Sequence, residues 1–158
     1  SDFGWDWGPA FAGSGIWKSA YLIVGARPLI YRAVFTQTHH HNSSVDLELL
    51  LSIDDKGWNQ PYTVLASFDA HNQSHTVVPL GSGSHCVKFI FKIPQPILWW
   101  PRGYGQQHIY RAKYSIIGFG RDPKTVNIGI RQVELIREPI YGTNPGETFM
   151  LRVNGRDI

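Results

Sequence analysis

Three features of the sequence point to an all-β chain built as a two-sheet sandwich. Apolar residues recur at every second position over short runs, and no stretch holds a helical period of about 3.6 residues. Turn-forming residues interrupt those runs about every ten residues. Sixteen Gly and ten Pro spread along 158 residues fit many short strands better than a few helices. Hydrophobic residues at 42% and charged residues at 17% belong to an ordered chain long enough to bury a core.

In chain order, residues 14–26 read as one strand that closes an earlier domain. Ile16, Lys18, Ala20, Leu22 and Val24 alternate with Trp17, Ser19, Tyr21 and Ile23, so both faces are largely apolar, as in a strand packed on both sides. Arg27-Pro28 marks a junction. A strand then runs through Leu29, Tyr31, Ala33 and Phe35, followed by the polar loop His39-His40-His41-Asn42-Ser43-Ser44. Val45, Leu47, Leu49 and Leu51 form one face of the next strand, which turns at Asp54-Asp55-Lys56-Gly57. Further strands are expected over 62–68, 74–80, 85–93, 107–117 and 124–135, with Pro94 and Pro96 stopping the one over 85–93. About seven strands at this spacing is the pattern of an immunoglobulin-like sandwich, assigned to residues 28–137. Residues 138–158 read as a linker, then a strand and an Asn154-Gly155 hairpin turn whose second strand is missing. With no opening Met, and an end that reads as mid-strand, the sequence looks cut from something larger.

Composition narrows the function classes. Net charge is +3, but Lys and Arg are dispersed with no basic run, which argues against nucleic-acid binding. No apolar run reaches membrane-spanning length, and no signal-peptide pattern opens the chain. The lone Cys86 forms no internal disulfide and is expected to pack as a small apolar side chain.

Two stretches are dense in aromatic residues. Phe3-Gly4-Trp5-Asp6-Trp7-Gly8-Pro9 places three rings and a carboxylate within five residues. If extended, its two indoles share one face and Asp6 points to the other. An indole face suits the C–H face of a pyranose, and a carboxylate accepts from its hydroxyls. A buried anchor with Asp6 capping a turn is the competing reading. Leu98-Trp99-Trp100-Pro101-Arg102-Gly103-Tyr104-Gly105 sits between two sandwich strands. Plugging into a neighbouring domain is the favoured reading of that loop, and lining a sugar subsite the alternative.

Together these motifs resemble one family. The first stretch, Gly15-Ile16-Trp17-Lys18, Trp99-Trp100-Pro101 with Gly103-Tyr104-Gly105, Gly129-Ile130-Arg131 with Val133-Glu134-Leu135 and Glu138-Pro139, and Phe149 to Ile158 with its Asn154-Gly155 turn occur in this order in the β-mannosidases of glycoside hydrolase family 2. Family-2 exo-glucosaminidases resemble the chain less, and 36–80 carries no family signature. The resemblance implies a modular enzyme in which 1–27 ends a jelly-roll sugar-binding domain, 28–137 is the sandwich, and 138–158 leads into a (β/α)8 barrel. Members release terminal β-D-mannose with retention, using two glutamates about 5–5.5 Å apart in the barrel. Neither is expected in this chain, nor is a cofactor. The resemblance implies Trp5 as a wall and Asp6 as a hydroxyl acceptor at the mannose, with Trp7, Trp99 and Trp100 in packing, interdomain contact or an aromatic subsite. Partners would be β-mannoside oligosaccharides and the neighbouring domains of the same chain.

The remaining candidates read as surface features. Asp54 and Asp55, being adjacent, diverge and suit a solvated turn. Glu134 and Glu138 lie near a strand end. His39 and His41 share a face if extended, but nothing completes a metal site. Asn42-Ser43-Ser44 and Asn72-Gln73-Ser74 are glycosylation sequons in expected turns, consistent with a lysosomal or secreted eukaryotic protein and silent in a bacterial one. The alternative to an enzyme segment is a stand-alone immunoglobulin-like module gripping sugar or protein through Trp5, Trp99 and Trp100.

Overall fold

A computed structural model describes residues 4, 6–25, 27–79, 83–120, 122–142 and 146–158. The sandwich forms from seven antiparallel strands: β1 (Leu29–His39), β2 (Val45–Asp54), β3 (Tyr62–Phe68), β4 (His71–Val77), β5 (Ser84–Ile93), β6 (Tyr110–Ile116) and β7 (Lys124–Ile128). One sheet has the order β1-β2-β5 and the other β4-β3-β6-β7. The expected immunoglobulin-like, all-β architecture is therefore present.

The core follows from β2. Val45, Leu47, Leu49, Leu51 and Ile53 are essentially inaccessible, because their strand is central and their period of two faces the opposite sheet. On β5, Phe91, Phe89 and Val87 stand in register beside Leu47, Leu49 and Leu51. Val64, Ala66 and Phe68 of β3, with Ala112 of β6 and Ile128 of β7, join them in the buried cluster. Phe68 lies 5.9 Å from Phe91 and 5.1 Å from Tyr110, centroid to centroid.

Several elements depart from the sequence expectation. A register shift between Ile30 and Arg32 turns Tyr31 outward, so Ile30, Ala33 and Phe35 pack on the core instead of a strict odd-numbered set. β4 starts at His71 rather than 74, because Asp69 adopts a positive φ of 51° and closes a two-residue turn between Phe68 and His71. Asn72 therefore stands exposed on an edge strand and not in a turn. Cys86 faces outward beside Ser52, since Val87 and Phe89 hold the inward register. The expected strand over 124–135 divides: β7 ends at Ile128, and β8 (Val133–Ile136) leaves the sandwich. β8 pairs with β11 (Met150–Val153), which pairs with β12 (Arg156–Asp157) through the Asn154-Gly155 turn. The second hairpin strand expected to be missing is thus present. Before it, β9 (Pro139–Ile140) pairs with β10 (Gly146–Glu147) inside the expected linker. Residues 14–25 form no strand; Ile16, Trp17, Tyr21, Leu22 and Val24 are all at least 80% exposed. A strand needs a neighbour to satisfy its backbone groups, and this stretch has no ladder among the described residues. Among the described residues, no helix is long and apolar enough to cross a membrane.

Asp55 departs from the expected solvated turn. Asp54 is solvated and paired with Lys56 at 2.7 Å, its carboxyl held below the usual range by that contact. Asp55 instead is 1% exposed. The Tyr62 hydroxyl donates to its Oδ1 at 2.6 Å, and His85 Nε2 lies 2.7 Å from the same hydroxyl. Burial first, and the Asp55 hydrogen bond second, push the Tyr62 phenol far above its ordinary range, so it remains a donor. Its proton is committed to Asp55, so the imidazole is the donor in the His85 contact. The cluster joins β2, β3 and β5 at the end of the sandwich where Phe119 packs edge-on against Trp58 at 5.1 Å.

Two outcomes are expected on urea unfolding. Leu49→Ala should lower stability by about 2–5 kcal/mol through an unfilled core volume. Tyr62→Phe should cost about 1–3 kcal/mol, because it leaves the buried Asp55 carboxyl short of a donor.

Candidate functional site

Trp5 lies outside the described residues. Asp6 and Trp7 are exposed in a turn, with Trp7 at 85% accessibility. Gly4, in the same motif, has a φ of 117° and sits so close to Pro9 and Ala10 that a Cβ would meet backbone at 2.9 Å. Gly4 therefore lies close against the Pro9-Ala10 backbone, while Asp6 and Trp7 face outward.

The other aromatic motif converges with two distant ones. Trp99 forms an isolated antiparallel bridge with Gln107, and its N–H donates to the Ile130 carbonyl at 2.8 Å. Its indole lies flush on Gly129, where a Cβ would stand 2.9 Å from Trp99 Cγ. Only glycine lets the ring approach so closely. Arg131 covers the ring, with its guanidinium carbon 5.0 Å from the centroid, and donates back to the Gly129 carbonyl at 3.1 Å. Trp100 repeats the device on a smaller scale, its indole seated on Gly105.

Gln37 ties this cluster to the other sheet. Its amide donates to the Gly129 carbonyl at 3.1 Å and accepts from the Arg131 N–H at 3.0 Å. The backbone of Gly129–Arg131 is thereby held like an extra rung between β1 and the Trp99 loop. That grip explains why β7 and β8 are separate strands.

From the far side, the hairpin turn reaches in. Asn154 has a φ of 51° and Gly155 one of 80°, the positive pair that a tight two-residue hairpin turn requires. Asn154 Nδ2 donates to the Trp99 carbonyl at 2.9 Å, while its Oδ1 accepts from the Gln132 N–H at 2.9 Å. Its own N–H donates to the Gln132 carbonyl at 2.9 Å. Arg156 stacks over Tyr104 at 5.0 Å. Arg152 grips Asp157 at 2.5 Å and holds its carboxyl below the usual range, so this clasp is present at neutral pH and lost only as pH falls below that range.

Sequence reasoning singled out Trp99, Trp100, Gly129 to Arg131 and the Asn154-Gly155 turn separately, and the structure brings them together. It missed Gln37. The signal was available: Gln37 continues the inward-facing Ala33 and Phe35 positions of β1 with a polar side chain. The two sequons differ in setting. Asn42 is exposed in the β1–β2 loop with its Oδ1 accepting from Ser44 Oγ at 2.6 Å, and Asn72 is on β4. His39 closes β1 and His40 pairs with Asp46 at 3.2 Å. Among the described residues, no group of three or more His, Cys, Asp or Glu could hold a metal ion. An apolar groove of about 470 Å³ lies between Tyr21–Val24 and Ile30, Ile116 and Phe119 of the sandwich.

Gly129→Ala should force the Trp99 ring from its seat. A cost of about 1–3 kcal/mol is expected from this overpacking, read as a lower melting temperature with a changed Trp emission.

The family model for glycosyl hydrolases family 2 matches residues 29–131. The chain is 29% identical over 165 residues to a β-mannosidase of Capra hircus, and 30% identical over 161 residues to β-mannosidase B of Aspergillus fumigatus. In both cases 99% of this chain aligns with 18% of the relative, so the chain spans about a fifth of their length. The β-D-mannosidase of Dictyoglomus thermophilum superimposes with a TM-score of 0.82 at 28% identity, over 99% of this chain and 20% of that one. An exo-chitosanase of Amycolatopsis orientalis matches at a TM-score of 0.64 and 24% identity, a likeness of fold alone. The chain belongs to glycosyl hydrolases family 2, as a segment that resembles the corresponding part of β-mannosidases.

Proposed function

We propose that this chain is a non-catalytic segment of a retaining exo-glycosidase that removes terminal β-D-mannose residues from oligosaccharides. In this reading residues 1–27 close a jelly-roll domain, 28–137 form the sandwich that positions the catalytic barrel, and 138–158 lead into that barrel. The observation that carries it is the joint: three motifs spread over 55 residues meet where the sandwich hands over to the hairpin. A joint of this kind serves a domain on its far side. The exposed, doubly apolar stretch 16–24 supports the same reading at the other end, because apolar residues on both faces suit burial between neighbouring layers.

Trp5 is assigned as a wall and Asp6 as hydroxyl acceptor at the terminal mannose, with Trp7 in packing. Asn42 and Asn72 are assigned as glycan acceptors, and a lysosomal or secreted location follows for a eukaryotic source. The stand-alone module is the weaker reading. Trp99 and Trp100 are already covered by Arg131, Gly129 and Gly105, so they offer no open platform for a sugar.

The test uses the pure chain and the full-length protein that carries it. The pure chain should neither hydrolyse an aryl β-mannoside nor show saturable amide shifts at Asp6 and Trp99 with β-1,4-mannobiose. Turnover, or saturable shifts confined to those residues, would sink the reading. In the full-length protein, Asp6→Ala should lower kcat/KM by about 10–150-fold, the factor for one hydrogen bond to a charged group of about 1.5–3 kcal/mol.

A further inference from the structure

The joint contains one side chain on which its geometry turns. Resting on the reading above, we propose that Asn154 is a positioning residue: its side chain locks the β11–β12 hairpin, and the domain the hairpin leads into, against the Trp99 loop of the sandwich.

Asn154 is placed for this by three contacts on two partners. Its backbone N–H and side-chain Oδ1 exchange hydrogen bonds with the backbone of Gln132, both at 2.9 Å. Those bonds hold the hairpin turn to the chain that leads into β8. Its Nδ2 then crosses to the Trp99 carbonyl at 2.9 Å. Trp99 is itself held by several contacts: bridged to Gln107, bonded to Ile130, seated on Gly129 and capped by Arg131. Gln37 ties Gly129 and Arg131 to the other sheet. The Nδ2–H bond therefore couples the hairpin to a frame braced by both sheets, alongside the stacking of Arg156 over Tyr104. β8 by itself is a poor brace, since Val133 and Leu135 are 55% and 47% exposed.

Asn also satisfies two demands at this position. It tolerates the positive φ of the turn, and it carries one donor and one acceptor at the spacing the two partners need. Two substitutions separate these roles. Asn154→Asp keeps the turn and the acceptor for Gln132 but replaces the donor to Trp99 with an oxygen. Asn154→Gly keeps the turn, adds no charge and removes both side-chain bonds. A shared defect is then the loss of the Trp99 bond, not of the turn.

Two readouts are needed. In the chain, backbone order parameters of β11 and β12 are expected to fall from about 0.85 toward 0.6 in both variants, with β2 and β5 unchanged. The Gln132 amide should stay protected from exchange in Asn154→Asp and become labile in Asn154→Gly. In the full-length protein, kcat toward an aryl β-mannoside should fall about 10–100-fold in both variants with KM little changed, as for a site displaced by about an ångström. An unchanged hairpin in both variants overturns the lock. A loosened hairpin with wild-type kcat overturns the positioning role. A wild-type protein without any β-mannosidase activity overturns the functional reading instead, and the order parameters then decide the lock alone.

Discussion

The close approach of the Trp99 indole to Gly129 is the constraint around which the rest of the molecule is arranged. A ring cannot lie on a strand end unless the residue beneath lacks a Cβ, and here a Cβ would stand 2.9 Å from the ring. Once seated, the ring ends β7, because the backbone from Gly129 to Arg131 turns its groups to Trp99 and Gln37 in place of a ladder. Ending β7 frees Val133–Ile136 to pair with the hairpin. A local packing fact thus becomes a change of sheet, from the sandwich to the three-stranded sheet of β8, β11 and β12.

The two ends of the sandwich are held by different physics. At the joint, backbone hydrogen bonds and stacked cations fix orientation, and these interactions depend on geometry more than on buried area. At the opposite end, the buried Asp55 is held by Tyr62 and His85, so β2, β3 and β5 are tied through a polar cluster inside the apolar core. Between them the core is ordinary close packing, with Leu47, Leu49 and Leu51 flanked by Phe91, Phe89 and Val87 and facing the buried residues of the opposite sheet. The core is held by apolar packing, and the two ends by directional polar and cation–aromatic contacts.

This division suits the reading proposed above, in which the domain contributes to an enzyme without holding its chemistry. The aromatic residues that look like a sugar platform in the one-dimensional chain, Trp99 and Trp100, are spent on the chain's own glycines. The exposed Asp6 and Trp7 and the bare stretch 16–24 are the parts with unmet packing demand. Surface of that kind is costly to leave open to water, and is the part a neighbouring domain would be expected to cover.

Much of the fold was legible because a period of two is a local signal. Val45 to Ile53 alternate so strictly that strand, face and core position follow from side-chain order alone. The Asn154-Gly155 turn was legible for a similar reason: few residue pairs accept two positive φ angles. Asp55 was not. Adjacent acids before Lys-Gly describe a solvated turn until Tyr62 and His85, from two other strands, arrive on one of them. Nor was the break in 124–135, whose apolar residues continue in period through a point where the ladder stops. Local order sets which residues can be strands and which faces are apolar, since those preferences reside in each residue and its neighbours. Which strands share a sheet, which carboxylate is buried and which tryptophan is occupied depend on contacts between residues tens of positions apart, and only the packed chain brings those together.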